Sequence, residues 1–308
     1  LERCVAHALD ESKLALDDSD EMVWARVYRL RLIADLVAGG WPGAEEAQRG
    51  AGGSGVGGGD AGGRRPSAES LRTALTKASA ALLAMQSGGS GAFYHEYQNP
   101  FATASALGAL RAAEDAGVPV DRGAGERALV SLHKCRTDAG AFSYGQSRGK
   151  PRASVAGAAG RMPRCEIALH QWRGDRLRQV QSAVEAAFEH HQKLEAVRKY
   201  DDHASRLGYG GFFFWYDILG RTEALAALSP SELRAKWVTQ QRQDILAIVE
   251  IDGCTYMNTT NGRLIAVHVG AVAVGVGDNA SITGNFIIDQ DCNPCVLFAT
   301  SATDLGNC

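Results

Sequence analysis

Apolar residues recur along most of the chain at helical spacing, in segments parted by glycine, proline and capping residues. Leu71, Leu75, Ala78, Leu82 and Met85 step by four and three, which is one face of a helix. Trp24, Tyr28, Leu32 and Leu36 do the same one segment earlier, with Val23 and Val27 alongside and Asp20 placed as the N-cap. A short helix is expected within residues 2–15. Asn99-Pro100 predicts a helix start, a capping residue followed by proline at the first helical position, and Gly117-Val118-Pro119 predicts its end. Further helices are expected from Gly125 to about Cys135 and over 152–172, 175–198, 210–228 and 231–249. The long one carries the stripe Leu177, Val180, Val184, Ala187, Phe188, His191, Leu194 and Val197. The last is opened by Ser229-Pro230-Ser231-Glu232, read as a capping box with proline at its first turn. No strand pattern precedes about residue 262, so the core reads as all-α.

Two stretches break the pattern. Residues 39–66 are glycine-rich and almost free of large apolar side chains, the composition of a flexible insertion. From about Gly262 the chain turns to Val, Ile and Gly alternation and loses nearly all basic residues. The tail 257–308 therefore reads as an appended β segment, a poorly ordered end or an altered reading frame.

A repeat organises the helices. Gly91-Ala92-Phe93-Tyr94 recurs as Gly140-Ala141-Phe142-Ser143-Tyr144, 49 positions later. Each copy follows one helix and precedes another that is rich in small residues. Asp252-Gly253-Cys254-Thr255-Tyr256 has the same form about two repeats on, and the copy between them falls near Tyr200-Asp201-Asp202, without its glycine. A glycine turn and an aromatic between two helices cannot bury its own apolar face, so stacked neighbours must do so.

These residues, with Gln86 before the first turn and Thr103-Ala104-Ser105-Ala106-Leu107 after it, resemble the prenyltransferase and squalene-cyclase repeat family. The resemblance covers residues 1–256 with 39–66 as an insertion, and implies an α/α toroid, complete or partial, of inner and outer helices about a cavity. Phe93, Tyr94, Phe142, Tyr144, Tyr209, Phe213, Trp215 and Tyr216 would then line that cavity. The partner it implies is an isoprenoid or other apolar ligand, or a protein segment. Core packing between the two helix layers is the alternative reading of the same aromatics.

Composition narrows the partners. The chain has 308 residues, 45% hydrophobic and 22% charged, with a net charge of -3, which gives no reason to expect nucleic acid. The basic run Arg26-Val27-Tyr28-Arg29-Leu30-Arg31 lies on a helical pattern behind acidic residues and reads as a solvated face. No apolar run approaches the ~18 residues of a membrane span. Seven scattered cysteines form no disulfide framework; they favour a reducing compartment or simply serve as small buried apolar residues, and a soluble, cytoplasmic protein is the expectation.

No complete catalytic motif stands out. Asp18-Ser19-Asp20-Glu21 resembles the D-x-D-D acid of class II terpene cyclases, which would make Asp18 and Asp20 catalytic, but its last Asp is Glu. An N-cap with acids at the positive end of a helix explains it as well. Asp17 to Glu21 also fits a D-D-x-x-E magnesium motif, without the second motif such enzymes carry. Asp252 and Cys254 resemble two zinc ligands of protein prenyltransferases, but the only following histidine, His268, is fourteen residues away, too close for that pattern. Cys292-Asn293-Pro294-Cys295 needs two further ligands to hold a metal, for which only Cys308, Cys254 or His268 are obvious, and reads equally as a redox pair or as two plain thiols. His191 reads as a packed residue of its stripe, and Asp201-Asp202-His203 as a solvated loop. The favoured reading is a binding protein that needs no cofactor; zinc enters only with the Asp252 and Cys254 alternative.

Overall fold

A computed structural model of the chain describes residues 5, 8–14, 20–39, 66–146, 149–197, 203–204, 209–210, 213–246, 250–251, 254–258, 264–266, 285–288 and 296–299. The chain divides into two units, Leu1–Cys135 and Arg136–Cys308. The Gly-rich insertion (from residue 40 to 65) and most of the tail lie outside the described residues.

In the first unit, α1 (Met22–Ala38) packs on α2 (Ala68–Leu83) and α3 (Pro100–Asp115), and α3 in turn on α4 (Arg122–Lys134). The caps follow the sequence: Ser67 accepts a hydrogen bond from the Ser70 amide, and Asn99 from that of Ala102 ahead of Pro100. Twelve of the sixteen residues of α3 are buried, from Pro100 through Leu110 without a break. Alanine, serine, threonine and glycine at most of these positions let neighbouring elements close in on every side. By contrast α2 buries one stripe, Leu71, Leu75, Ala78 and Leu82, as its spacing predicted.

Three expectations for α1 are corrected. Its buried face is Val23, Val27, Leu30, Ile33 and Ala34, while Tyr28 is 45% exposed. Compact aliphatic side chains fill the helix–helix seam; the larger rings stack outside it, Trp24 on Tyr28 and edge-on to His95. Asp20 is not the cap, because the helix begins at Met22 after Glu21, which makes no side-chain cap. Nor is the whole basic run solvated: Arg29 is buried, donating to the carbonyls of Ala8 and Leu9 and pairing with Glu11 at 2.9 Å. It holds the N-terminal segment to α1.

In the second unit the short α5 (Val155–Ala158) leads into α6 (Met162–Arg173), followed by α7 (Leu177–Glu189) and α8 (His191–Val197). Then come α9 (Phe213–Ala227) and α10 (Glu232–Leu246). The expected helix over 175–198 is thus two helices, parted at His190. Ser231 caps α10 by accepting from the Arg234 amide, so Pro230 precedes the cap and is not inside the first turn. Helix α6 buries eight residues in succession, Met162 to Leu169, and α9 buries polar and apolar positions alike. In contrast α7 and α10 bury one stripe each, Val180, Ala183, Val184 and Ala187 in the first and Trp237, Gln241 and Ile245 in the second.

Helices buried all round (α3, α6, α9) therefore alternate with helices buried on one face (α4, α7, α10). The latter begin at Arg122, Leu177 and Glu232, 55 residues apart each time. The recurrent turns are alike in detail. Gly91 and Gly140 take φ of 74° and 84°, a left-handed conformation that favours glycine, and Phe93 and Phe142 after them are fully buried. The Ser87 amide donates to the Ala92 carbonyl in the first copy and the Thr137 amide to that of Ala141 in the second, a loop one residue shorter.

Short strands accompany the helices. Tyr94–His95 (β1) pairs with Tyr97–Gln98 (β2), and His203–Ala204 (β3) with Tyr209–Gly210 (β4). The strand pattern of the tail begins earlier than residue 262: Glu250–Ile251 (β5), Cys254–Asn258 (β6) and Leu264–Ala266 (β7) form an antiparallel sheet. Asn285–Ile288 (β8) pairs with Val296–Ala299 (β9). Asp252 and Gly253 of the third glycine turn lie outside the described residues, and Cys254, which follows them, begins β6.

Candidate functional site

The second unit places charged residues inside its helical layers. Asp217 and Arg221 sit one turn apart on α9, 3% and 2% exposed. Arg161, between α5 and α6, is 6% exposed and donates to the carbonyls of Phe142 and Gly157. It thereby ties the second recurrent turn to the start of α6. The Tyr144 ring lies 5.7 Å from its guanidinium carbon.

Arg221 is held from three sides. Its Nε donates to Gln241 Oε1, its Nη2 to Asp244 Oδ2 at 3.3 Å, and its Nη1 meets His191 Nδ1 at 3.3 Å. The Phe188 ring lies under it, 4.2 Å from the guanidinium carbon, a cation–π contact. Gln241 completes the network by donating to Thr222 Oγ1 and to the Ile218 carbonyl. Burial lowers the Arg221 pKa to about 10, against the support of Asp244 and Asp217. His191 is held below the ordinary histidine value, first by burial and then by the charge of Arg221. A neutral imidazole leaves Nδ1 free to accept from Arg221. The packing role expected of His191 is thus only half of its contacts: it lies 6.3 Å from the Phe214 ring and also joins this polar network.

Asp217 is treated differently. Its Oδ1 is buried with no hydrogen-bond partner in the structure, and its Oδ2 lies against Gly160, where a Cβ would overlap it. Burial raises its pKa to about 7, against the pull of Arg161 and Arg221. Beside it Gly160, Ala187, His190, Leu194 and Arg221 line a small, partly open pocket. Its size is about that of a single water molecule. A second buried ionic group lies in the same unit: Glu166, 1% exposed, binds Arg136 Nε at 2.5 Å and Arg176 Nη2 at 2.9 Å.

The aromatics proposed as a cavity wall divide. Phe93 and Phe142 are fully buried, Trp215 nearly so, and Tyr144 and Tyr216 half-buried, while Tyr94 is 43% exposed on the first hairpin. Tyr209 lies in β4, and Phe213 is the first residue of α9. Asp20 is exposed in the turn before α1, its carbonyl accepting from His95 Nδ1 at 3.2 Å. Asp18 and Asp252 lie outside the described residues, and Cys254 begins β6. His268, Cys292, Cys295 and the pair Asp201-Asp202 lie outside them too. Among the described residues no group of three or more His, Cys, Asp or Glu side chains could hold a metal ion, and no helix is long and apolar enough to cross a membrane.

Asp217 and Arg221 were not among the candidates read from the sequence. Their signal is an Asp and an Arg four residues apart within the aromatic-rich segment Phe212-Phe213-Phe214-Trp215-Tyr216-Asp217-Ile218-Leu219-Gly220-Arg221. Fold and site together describe an all-α protein of helical hairpins with a buried carboxyl–guanidinium centre. Comparison with known protein families and with curated proteins finds no match.

Proposed function

We propose that the chain is a prenyltransferase/squalene-cyclase-like repeat protein whose role is to bind an apolar chain, or an apolar segment of another protein, on its helical repeats. The observation that carries this reading is the recurrence of one-face helices at 55-residue spacing, each preceded along the chain by a helix buried all round. The recurrent glycine turn with its buried Phe93 or Phe142 supports it. Incubating the protein with polyprenyl diphosphates and with squalene tests it: the expected result is saturable binding with no product. Formation of any product would replace binding by catalysis.

One observation favours acid catalysis as a second reading. An acid that protonates an alkene must be taken out of water, and Asp217 meets that condition whereas Asp20 is exposed. In this reading Asp217 takes the role that the sequence offered to Asp18 and Asp20. Loss of product on Asp217→Asn, with Asp20→Asn active, would support it. Zinc held by Asp252 and Cys254 is supported by their likeness to the prenyltransferase turn alone, and metal analysis of the purified protein tests it.

A further inference from the structure

Outside its packing seam, α1 carries the start of a row of rings that continues onto the first hairpin. Tyr28 stacks on Trp24 with 6.4 Å between ring centroids, and Trp24 meets His95 edge-on at 5.5 Å. His95 and Tyr97 stand opposite one another in the β1–β2 ladder, which sets their side chains on one face of the hairpin. Tyr28 and Tyr97, at the two ends of the row, are exposed, and Trp24 and His95 between them are half-buried. Tyr94 belongs to the other face of the hairpin, in register with Gln98, its hydroxyl accepting from Gln98 Nε2. Exposed tyrosine and tryptophan rings grouped on one face mark a recognition surface: each supplies a large apolar area at small entropic cost and keeps a polar tip for hydrogen bonding.

Shape and charge narrow what this face takes. The Trp24 and Tyr28 planes lie within 25° of parallel while His95 is turned 65° from Trp24, so the row is ridged and is not one flat platform for a sugar ring. A proline-rich segment in the polyproline II conformation has matching ridges, three residues to the turn, and is already extended, so that docking costs it little order. Three exposed carboxylates flank the row. Glu21 Oε1 lies 3.7 Å from His95 Nδ1, the Asp20 carbonyl accepts from the same nitrogen, and Glu96 stands between His95 and Tyr97 in the hairpin turn. The arginines of α1 pair elsewhere, Arg26 and Arg29 with Glu11 and Arg31 with Asp35. The flank therefore complements a cation on the ligand, and the rings themselves favour a guanidinium over their faces. We propose that Tyr28, Trp24, His95 and Tyr97 form a docking surface for a proline-rich peptide, with an arginine of that peptide directed to Asp20, Glu21 or Glu96. The proposal does not rest on the apolar-chain reading above.

The test titrates the full chain into three dye-labelled peptides of about ten residues, read by fluorescence anisotropy. One is made of prolines with two arginines, one of glycines and serines with two arginines, and one of prolines with two glutamates. The first is expected to bind about tenfold tighter than either of the others. Tyr28→Ala and Tyr97→Ala should each weaken it by about fivefold or more, and Glu96→Lys by a similar factor. Tyr94→Ala, on the opposite face of the hairpin, should leave it unchanged. The truncated rings are exposed, so the variants keep the fold, and circular dichroism checks that they do. No saturable binding of the first peptide overturns the proposal. So does equal binding of the glycine–serine peptide, which would be attraction between charges alone, or undiminished binding in the double variant Tyr28→Ala, Tyr97→Ala. Binding of a neutral glucan oligosaccharide that Tyr28→Ala abolishes, with no peptide bound, assigns the face to sugars and overturns it as well.

Discussion

The carboxylate of Asp217 occupies the space that a Cβ on residue 160 would need. Gly160 lies in the turn between α5 and α6, so the approach of this turn to α9 depends on the missing side chain. Gly160→Ala should force the short Asp217 side chain aside within a packed interior, at a cost of about 1–3 kcal/mol. Gly149→Ala, where nothing lies within 4 Å, is the control and should be nearly neutral. Thermal or urea unfolding of the two variants checks this.

The same carboxyl predicts a pH dependence. Its pKa is near 7 in the folded chain and near the ordinary carboxylate value once unfolded. Between about pH 4 and pH 7 the folded state therefore holds a proton that the unfolded state has released. The contribution of Asp217 to stability accordingly falls as pH rises through that window, by about 1.4 kcal/mol per unit, and is level above it. His191 works in the other direction, since its folded pKa is lowered: its contribution is lost as pH falls below the ordinary histidine value. Denaturant titrations of the unaltered protein and of Asp217→Asn, compared at each pH, isolate the carboxylate. Their difference should grow in favour of Asn from about pH 4 to pH 7.

Glu166 bears on the seam that joins the second recurrent turn to α6. It pairs with both Arg136 and Arg176 from a position 1% exposed, and removing it leaves two partly buried guanidinium groups without this shared partner. Glu166→Ala should cost about 3–5 kcal/mol. Glu166→Gln, which keeps one acceptor oxygen, should cost less. Urea denaturation midpoints order the two.

The recurrent turn makes its own prediction. At Gly91 a Cβ would combine a left-handed φ of 74° with overlap on the Arg127 backbone, and Gln86 already bonds the Gly91 carbonyl at 3.0 Å and that of Ala124 at 2.8 Å. Gly91→Ala should destabilise by more than about 1 kcal/mol, since strain and collision add. Gly88→Ala, three residues earlier in open space, should not. Thermal melting separates the two.

What the sequence revealed depended on whether the signal was local. The caps at Ser67 and Asn99, the stripe of α2 and the turns at Gly91 and Gly140 are set by neighbouring residues, and they were legible. Which face of α1 is buried was not, because Val23 and Trp24 both begin regular stripes and only the packing of α2 and α3 chooses between them. The division of 175–198 at His190 was hidden for a similar reason: an unbroken stripe runs through it, and Arg221 and Asp244 engage His191 from other helices. The candidate site was missed because Asp217 gains its character from Gly160, Arg161 and Arg221, two of them distant in the chain.

The central claim is that the hairpins bind an apolar chain, and its most direct test is affinity against chain length. Saturated isoprenoid-type alcohols of increasing length are titrated into the intact protein by tryptophan fluorescence. Burial in an apolar site should strengthen binding by about 0.8 kcal/mol for each added methylene until the site is filled, then level off. Absence of saturable binding at every length, or affinity indifferent to length, would contradict the account.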